Sequence, residues 1–508
     1  MTHSFSWHAT TFRPRMAVSG YAPHPGIHDV SRVLHFPAHN LVGKVYIHPW
    51  HNQPHIPPNT NIRPWHNVGP TQGRIEIPPL HEVFVSLNVR SWSDLQCLEH
   101  MHPFAIQCLT LAYIGQPAAD ASESSLVCLA HLQGLYALVL DGFSCIPFSS
   151  LSALPHLQFL QLFRPSAQSN MGRIGMSSWS ISTLSTTPAE HKNHVLSYTF
   201  DALEALMLSN IALTDWPVRL PMLHTLSLEA EANYPPVRFD LPLLPAMAPL
   251  LQILSIASSS LTSSDITALT TLPDLTHLCL KRSIYDMEPR MLPLVSIEEL
   301  GHLTPLKSLS IEYILPSLDE LSQLPSLESL YVIYHNQRDF FLPLSQCARL
   351  HSLCVMDENA DIPLQYSDIC AINTVSTLDT LQLYVPIESG AIRGLDGHQQ
   401  LHTLCIRGMT FVAQDIIRIS QFINLLHLDI SETIFENEHL IYLTQLHHLQ
   451  TLNISDSTLD GHGIAYIIQL TQLHSLDISD TLVSPSGYAF VQTALPQTHI
   501  LYEDKVSQ

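Results

Sequence analysis

Residues 401–482 repeat one pattern, L-x-x-L-x-I, in four hexapeptides that start 24 residues apart: LHTLCI (401–406), LLHLDI (425–430), LQTLNI (449–454) and LHSLDI (473–478). The alternation within each hexapeptide predicts a short strand with one apolar face. A unit of this length cannot bury that face alone, so neighbouring units must cover one another. A fixed period in this range therefore predicts a solenoid of stacked repeats.

The pattern continues through most of the chain. Eleven further clear hexapeptides follow the pattern, with a doubtful twelfth, LHEVFV, at Leu80. They bring the total to 15 clear repeats, and the eleven begin at Ile106, Leu135, Leu157, Leu203, Leu223, Leu251, Leu275, Leu306, Leu327, Leu350 and Leu378. Their steps range from 20 to 31 residues, except for one step of 46 between Leu157 and Leu203.

These hexapeptides resemble leucine-rich repeats, and the last units, such as GHGIAYIIQLTQLHSLDIS, are similar to bacterial-type repeats of 24 residues. The resemblance implies an α/β solenoid, with a curved parallel β-sheet on the concave side and short helices and turns on the convex side. It also implies a protein–protein interaction scaffold that binds its partner on the concave face, since this architecture usually recognises other proteins.

The composition divides the chain into three parts. Residues 1–79 hold twelve of the 36 prolines and ten of the 31 histidines, which predicts an irregular, partly disordered N-terminal cap or leader. Residues 80–503 form the predicted solenoid, with an insertion at about 164–200 that is rich in Ser, Thr, Gly and Pro. Residues 504–508 are a polar tail, and 498–503 (THILYE) read as a last, truncated strand.

Residues 77–98, IPPLHEVFVSLNVRSWSDLQCL, allow two interpretations. Their Pro-Pro-Leu, apolar stripe and Trp resemble a degenerate F-box, which would imply the substrate receptor of a ubiquitin ligase. The same residues also fit the first repeat, with Val83 and Val85 at strand positions. A third functional alternative is a bacterial effector that acts in the cytosol of a host cell.

The formal charge of −22 argues against nucleic acid and anionic membranes as partners, since both require a basic surface. It favours a protein partner with a basic segment. Nine scattered cysteines without a C-x-x-C pair favour reduced thiols. Neither a signal peptide nor a transmembrane span is recognisable in the sequence. We therefore expect a cytoplasmic protein, and we expect it to be a monomer.

No catalytic or cofactor-binding motif stands out, so the sequence predicts a protein that is not an enzyme and that has no cofactor. His48, His51, His55 and His66 raise the question of a metal site. Zinc sites normally combine tightly paired ligands with a second pair, and here the spacings contain prolines and lack cysteine. We therefore assign no metal ligands, and the histidines are equally explained as part of loops over the end of the solenoid.

The candidate binding residues follow from the position within each repeat, counted from the first residue of its hexapeptide. Positions 3, 5, 7 and 8 are expected to project on the concave sheet, where equivalent side chains of successive strands lie ~4.8 Å apart. One group is aromatic and apolar, and is typical of binding hot spots or of stacking that stabilises the sheet. Its members are Tyr313, Tyr331, Ile333, Tyr334, Met356 and Tyr384.

A second group is acidic, and its stacked like charges are costly unless a basic partner or a cation relieves them. Its members are Asp429, Glu432, Asp456, Asp477 and Asp480. A surface kept soluble by screened acids is the alternative explanation. Position 9 of a leucine-rich repeat is commonly Asn, but here the last repeats have Thr433, Ser457 and Thr481, whose hydroxyls can replace part of its hydrogen bonding.

Overall fold

A computed structural model of the chain describes residues 32–36, 42–49, 66–79, 81–114, 123–143, 148–163, 198–210, 218–229, 239–257, 261, 263–281, 297–315, 317–335, 337, 339–357, 363–396 and 398–503. The chain divides into two compact units. The N-terminal unit is Met1–Asp274 with Ser283–Met287, and the C-terminal unit is Leu275–Arg282 with Glu288–Gln508. Most of the predicted leader, nearly all of the predicted insertion and the polar tail lie outside the described residues.

The N-terminal unit contains a ladder of parallel strands that follow one another in chain order. Each strand coincides with a hexapeptide of the sequence pattern, and the doubtful one at Leu80 supplies the first. The strands are β5 (His81–Val89), β6 (Cys108–Tyr113), β7 (Ala137–Asp141), β8 (Phe159–Phe163), β10 (Ala205–Ser209), β12 (Thr225–Glu229) and β13 (Ile253–Ala257).

Antiparallel strands lie beside the first strand of this ladder. Strand β2 (Val42–Pro49) pairs antiparallel with both β5 and β3 (His66–Pro70). Strands β1 (Arg32–Phe36) and β4 (Gly73–Ile77) form a separate antiparallel pair. Part of the region expected to be irregular is therefore a set of strands, which cover the otherwise open edge of the first repeat.

The step of 46 residues between two hexapeptides does not interrupt the sheet. Strand β8 pairs directly and in parallel with β10, with Phe159 opposite Ala205 and Phe163 opposite Ser209. The intervening chain contributes a short strand, β9 (Tyr198–Thr199), which pairs with β11 (Val218–Arg219) away from this ladder. The extra residues therefore leave the repeat register unchanged.

Short helices occupy the segments between the strands of the N-terminal unit. The α-helices are Gln96–Glu99, Phe148–Ser152, Leu244–Met247 and Ser263–Leu269. The 3₁₀-helices are Trp92–Leu95, Glu123–His131 and Leu241–Leu243. The F-box interpretation requires a helical module over residues 77–100, but His81–Val89 is a strand that pairs with β2 and β6. These residues form the first repeat instead.

The described residues of the C-terminal unit form ten parallel strands in an open ladder, again in chain order. The first residues of successive strands face one another, as in Ser308, Ser329, Ser352 and Thr380. The strands are β14 (His277–Lys281), β15 (Ser308–Ile314), β16 (Ser329–Ile333), β17 (Ser352–Met356), β18 (Thr380–Tyr384), β19 (Thr403–Ile406), β20 (His427–Asp429), β21 (Thr451–Asn453), β22 (Ser475–Asp477) and β23 (His499–Leu501).

Helices of two types lie between these strands, and the spacing between hexapeptides does not decide which type forms, because steps of 24 residues contain both. The α-helices in the described residues are Tyr366–Asn373, Ala413–Ser420, Gly461–Ile467 and Pro485–Ala494. The 3₁₀-helices are Ile297–His302, Asp319–Gln323, Leu342–Gln346, Ala391–Gly394 and Asn437–Gln445. We call this the helical side, and we call the opposite surface of the strands the sheet face.

The core of each unit consists of the apolar residues at positions 1, 4 and 6 of the repeats. In the repeat that begins at Leu401, Leu401, Leu404 and Ile406 are all buried. Burying a side chain of this size contributes ~1.5–3 kcal/mol to the stability of the folded state, and each repeat makes such contributions. The chain therefore has the α/β solenoid fold of leucine-rich-repeat proteins.

Hydroxyl groups close the turns that follow the last strands. The side chains of Thr433, Ser457 and Thr481 are buried at position 9, and each donates a hydrogen bond to the carbonyl oxygen three residues before it. For Ser457 this bond to the Ile454 oxygen is 2.6 Å long. The predicted replacement of the usual Asn by a hydroxyl is therefore visible in the geometry of these turns.

Candidate functional site

The sheet face of the C-terminal unit carries the side chains at positions 5 and 7. In β16–β22 these positions form two rows that run across the strands. The row at position 5 is Tyr331, Cys354, Gln382, Cys405, Asp429, Asn453 and Asp477, and strand pairing places each member beside the next. The face thus changes from aromatic and sulfur-containing residues to acidic residues along one row.

Three of the six aromatic and apolar candidates remain partly exposed. Tyr331, Met356 and Tyr384 lie at positions 5, 7 and 7, and their side chains are half-buried. The Tyr331 hydroxyl donates to the Met356 sulfur at 2.7 Å. The Cys405 thiol donates to the Tyr384 hydroxyl at 3.5 Å, and burial raises the pKa of Tyr384 well above its ordinary value. These residues form a neutral surface held by contacts between neighbouring strands.

The other three aromatic and apolar candidates are buried, with 7% of Tyr313, 4% of Ile333 and 2% of Tyr334 exposed. Alternation explains the tyrosines, because position 8 has the same parity as positions 4 and 6 when the backbone stays extended. The placement of position 8 on the exposed face is therefore wrong for both. Ile333 is at position 7, and the strand register places it between Ile314 and Met356.

The buried tyrosines have structural partners. The Tyr313 hydroxyl donates to the Lys281 carbonyl oxygen at 2.7 Å. Tyr334 stacks on Phe341 with ring centroids 5.5 Å apart and donates to Asp368 at 3.4 Å. Burial is the main reason that the pKa of Tyr334 is raised to about 12. The neutral phenol is therefore retained, and these side chains belong to the packing of the unit.

Arg407 joins the aromatic and acidic parts of the face, and the sequence analysis did not single it out. Its guanidinium carbon lies 5.0 Å from the centroid of the Tyr384 ring, which is within the range of a cation–π contact. Its Nε donates to Asp429 Oδ2 at 3.1 Å, and its Nη2 donates to the same oxygen. Its Nη1 lies 3.7 Å from Glu432 Oε1.

The electrostatics of Asp429 reflect this arrangement. Burial alone would raise the pKa of its carboxyl, but hydrogen bonds from Arg407 and Ser431 outweigh burial, and the pKa lies below its usual value. The Ser431 amide and hydroxyl donate to Asp429 Oδ1 at 3.0 and 2.7 Å. The charge of Asp429 is therefore balanced by Arg407 within the chain, whereas the sequence suggested an acid exposed to a partner.

The acidic candidates also have a role in shaping the chain. Glu432, Asp456 and Asp480 all lie at position 8 with φ between 49° and 58°. Gly408, the equivalent residue one repeat earlier, has a φ of 70°. Asn and Asp tolerate this left-handed conformation better than most residues, which accounts for two of the three acids without invoking a ligand. The positive φ also ends the alternation that buries position 8 in the tyrosine repeats.

Arg407 had a signal in the sequence. It lies at position 7, and Asp429 and Glu432 follow at positions 5 and 8 of the next repeat. Since positions 5 and 7 of adjacent strands share one face of the sheet, the pairing of Arg407 with Asp429 could have been predicted from the sequence. Grouping the acids by charge alone leaves out the cation between them.

Three other observations bear on the kind of site. Among the described residues, no group of three or more His, Cys, Asp or Glu side chains could hold a metal ion. His51 and His55 of the N-terminal motif lie outside those residues. The eight cysteines in the described ranges are free thiols. In the same part of the chain, no helix is long and apolar enough to cross a membrane.

No family model and no curated protein sequence matches the chain. Among solved structures, an internalin of Listeria monocytogenes is 16% identical over 80% of this chain and 88% of its own, with a TM-score of 0.37. A leucine-rich-repeat protein of Leptospira interrogans is 18% identical over 81% and 92%, with a TM-score of 0.43. A chain of the Toll–Spatzle complex of Drosophila is 13% identical over 85% and 55%, with a TM-score of 0.45. The fold assignment rests on this chain's own repeat geometry.

Proposed function

We propose that the protein is an interaction scaffold and that the sheet face of its C-terminal unit binds a protein partner. The observation that carries the proposal is the continuity of the face. Tyr331, Met356 and Tyr384 give a partly exposed aromatic and thioether surface, and the same rows lead through Arg407 to Asp477. Tyr and Met supply large contact areas, and Tyr adds a hydroxyl.

The charge of the chain favours a partner with a basic segment. The net charge is −22, and the far end of the face carries Asp456, Asp477 and Asp480. Complementary charge speeds association and orients the partner, while the neutral part of a face supplies most of the affinity. We therefore expect apolar partner residues over Tyr331 and Tyr384 and basic residues over the acidic end.

The competing explanation is that these tyrosines only stabilise the sheet. Tyr331 contacts Met356, and Tyr384 contacts Cys405 and Arg407 within the chain. Affinity capture separates the two explanations. The intact protein is compared with Tyr331→Ala/Tyr384→Ala and with Asp477→Lys/Asp480→Lys. A matched control is Tyr366→Ala, which removes an exposed tyrosine from the helical side.

The proposal expects a partner that the control retains and that both double variants lose, with circular dichroism showing that all variants are folded. A partner that survives both double variants would contradict it. If Tyr331→Ala/Tyr384→Ala lowers the thermal stability and leaves the captured proteins unchanged, the tyrosines serve only the packing of the sheet.

A further inference from the structure

The Arg407 ion pair has a counterpart two repeats later that lacks the arginine. A shift of 48 residues converts Asp429 into Asp477 and Glu432 into Asp480, so both acidic positions are kept. The same shift converts Arg407 into Ser455. The chain therefore contains one carboxylate pair with a guanidinium between the strands and a second pair without one.

The two carboxylate pairs share their backbone geometry. The Ser431 amide donates to Asp429 Oδ1 at 3.0 Å, and the Ser479 amide donates to Asp477 Oδ1 at 3.0 Å. These bonds fix one oxygen of each carboxylate in the same way. The residues at position 8 also match, since φ is 58° at Glu432 and 56° at Asp480.

The second carboxylate pair differs from the first in its charged neighbours. No Lys, Arg or His of the described residues forms an ion pair with Asp477 or Asp480, whereas Arg407 pairs with both Asp429 and Glu432. The repeat between them differs, because Asn453 stands at position 5 and bears no charge. The combination of two acids and a small residue at the arginine position therefore occurs at Ser455, Asp477 and Asp480.

We infer that Asp477 and Asp480, with Ser455 leaving the space beside them, form a subsite for the guanidinium group of an arginine on a protein partner. This inference rests on the proposed function and deepens it by naming the recognised group. Arg407 is the internal precedent, because it shows a guanidinium lying on this face with two of its nitrogens on one carboxylate oxygen. The fork of donors on a guanidinium suits this arrangement better than the point charge of an ammonium.

The subsite differs from its precedent in one respect. Tyr384 stacks on Arg407, but the residue 48 positions after Tyr384 is Glu432, and position 7 of the repeat before Ser455 is Ser431. The position that Tyr384 occupies beside Arg407 therefore carries no aromatic residue at the second site. We expect weaker binding of an isolated arginine there than Arg407 achieves within the chain, and a partner would present its arginine from an extended contact with the face.

The first experiment introduces the missing arginine with Ser455→Arg. A crystal structure of this variant should show the new guanidinium within hydrogen-bond distance of Asp477 Oδ2, with the backbone unchanged. A side chain that instead turns into solvent, in a crystal where no neighbouring molecule contacts it, would overturn the inference.

The second experiment measures binding of a fluorescein-labelled hexa-arginine peptide by anisotropy at low salt. Hexa-citrulline is the neutral control peptide, and hexa-lysine tests the preference for a guanidinium. We expect Asp477→Asn/Asp480→Asn and Ser455→Arg each to weaken hexa-arginine binding ~10-fold, as loss of a charge-assisted contact would. Ser345→Arg adds the same charge on the helical side, and Asp319→Asn/Glu320→Gln removes two acids there, so both should have smaller effects.

Equal effects of Ser455→Arg and Ser345→Arg would overturn the subsite, and equal binding of hexa-lysine and hexa-arginine would overturn the guanidinium preference. These outcomes are distinguishable from failure of the proposed function. If a partner is captured through Tyr331 and Tyr384 but hexa-arginine does not bind specifically, the proposed function is supported and the arginine subsite is contradicted. If hexa-arginine binds specifically but no partner is captured, the subsite is supported and the proposed function is contradicted.

Discussion

At the scale of single residues, Glu82 shows how burial shapes this protein. Its side chain is 9% exposed on β5, and the Tyr136 hydroxyl donates to its Oε2 at 3.3 Å. Burial raises the pKa of Glu82 above its ordinary value of 4.5, and the hydrogen bond offsets only part of that effect. The folded state therefore favours the protonated acid.

The expected consequence is a loss of stability as the pH rises. The protonated Glu82 adds to the stability of the folded state. This contribution is fully present below pH 4.5 and is lost as the pH rises through the raised pKa. Glu82→Gln keeps an acceptor for Tyr136 without the charge, so it should stabilise the protein at pH 8 and have little effect at pH 4. Urea unfolding at both pH values measures this, and a variant less stable than the parent at pH 8 would contradict the assignment.

His398 has the opposite dependence. Its Nε2 has no hydrogen-bond partner among the described residues, and burial lowers the pKa of the imidazole below 6.5 although the Asn373 backbone opposes the shift. A depressed pKa means that stability is present above pH 6.5 and is lost as the pH falls below it. His398→Phe should therefore reduce the loss of stability between pH 7.5 and pH 5.5. An unchanged loss in thermal unfolding would show that other groups cause it.

Arg407 is the residue whose removal we expect to disturb the face most. Arg407→Met leaves Asp429 half-buried without its main partner, which should cost about 1–2 kcal/mol of the free energy of unfolding. A double-mutant cycle with Asp429→Asn isolates the interaction, because the neutral amide no longer needs a cation. A coupling energy near zero would mean that the ion pair orients the two side chains but does not contribute to the free energy of unfolding.

At the scale of elements, the position-9 hydroxyls close successive turns. Ser457→Ala removes the hydrogen bond to the Ile454 carbonyl oxygen in a buried turn, and we expect a loss of ~1 kcal/mol. Ser345→Ala removes a hydroxyl from an exposed segment and serves as the control. Hydrogen exchange should show faster exchange of the Leu459 amide, which donates to the Ser457 hydroxyl at 3.4 Å. Unchanged exchange there would argue against a role for this hydroxyl.

The strands were the most predictable elements. All 15 clear hexapeptides coincide with strands, since a repeated apolar alternation has few other ways to bury its side chains. Ile500 also lies in a last short strand, as the fragment THILYE indicated. The antiparallel strands β1–β4 were not predictable in detail, because they lie in a proline-rich segment and depend on pairing with distant residues.

The sheet face was only partly predictable. Positions 5 and 7 were placed correctly for Tyr331, Tyr384 and Asp477, because these follow strand alternation. Position 8 depends on where each strand ends and on the sign of φ, which a single repeat does not reveal. Tyr334 is therefore buried while Asp480 stays half-exposed. Whether the exposed members bind a partner remains a prediction.

At the scale of the whole molecule, the repeats should transmit damage only to their neighbours. Leu404→Ala removes a fully buried side chain, and such changes cost ~2–5 kcal/mol. Because each repeat contacts mainly the adjacent ones, hydrogen exchange should accelerate in β18, β19 and β20 and remain slow in β14. Uniform acceleration through the C-terminal unit would indicate cooperative unfolding across all its repeats.

The negative charge of the chain predicts that partner binding depends on salt. With a net charge of −22 and a Debye length of ~8 Å at physiological ionic strength, association with a basic partner should slow as salt increases. The dissociation rate should change less, because the aromatic part of the face is neutral.

The central claim is that partners bind the sheet face of the C-terminal unit. Hydroxyl-radical footprinting of the free protein and of a captured complex tests it most directly. The account predicts that the partner protects Tyr331, Met356 and Tyr384, while the exposed Tyr366 on the helical side is oxidised equally in both samples. Protection of Tyr366 with unchanged oxidation of Tyr331 and Tyr384 would contradict the claim and place the binding surface on the helical side.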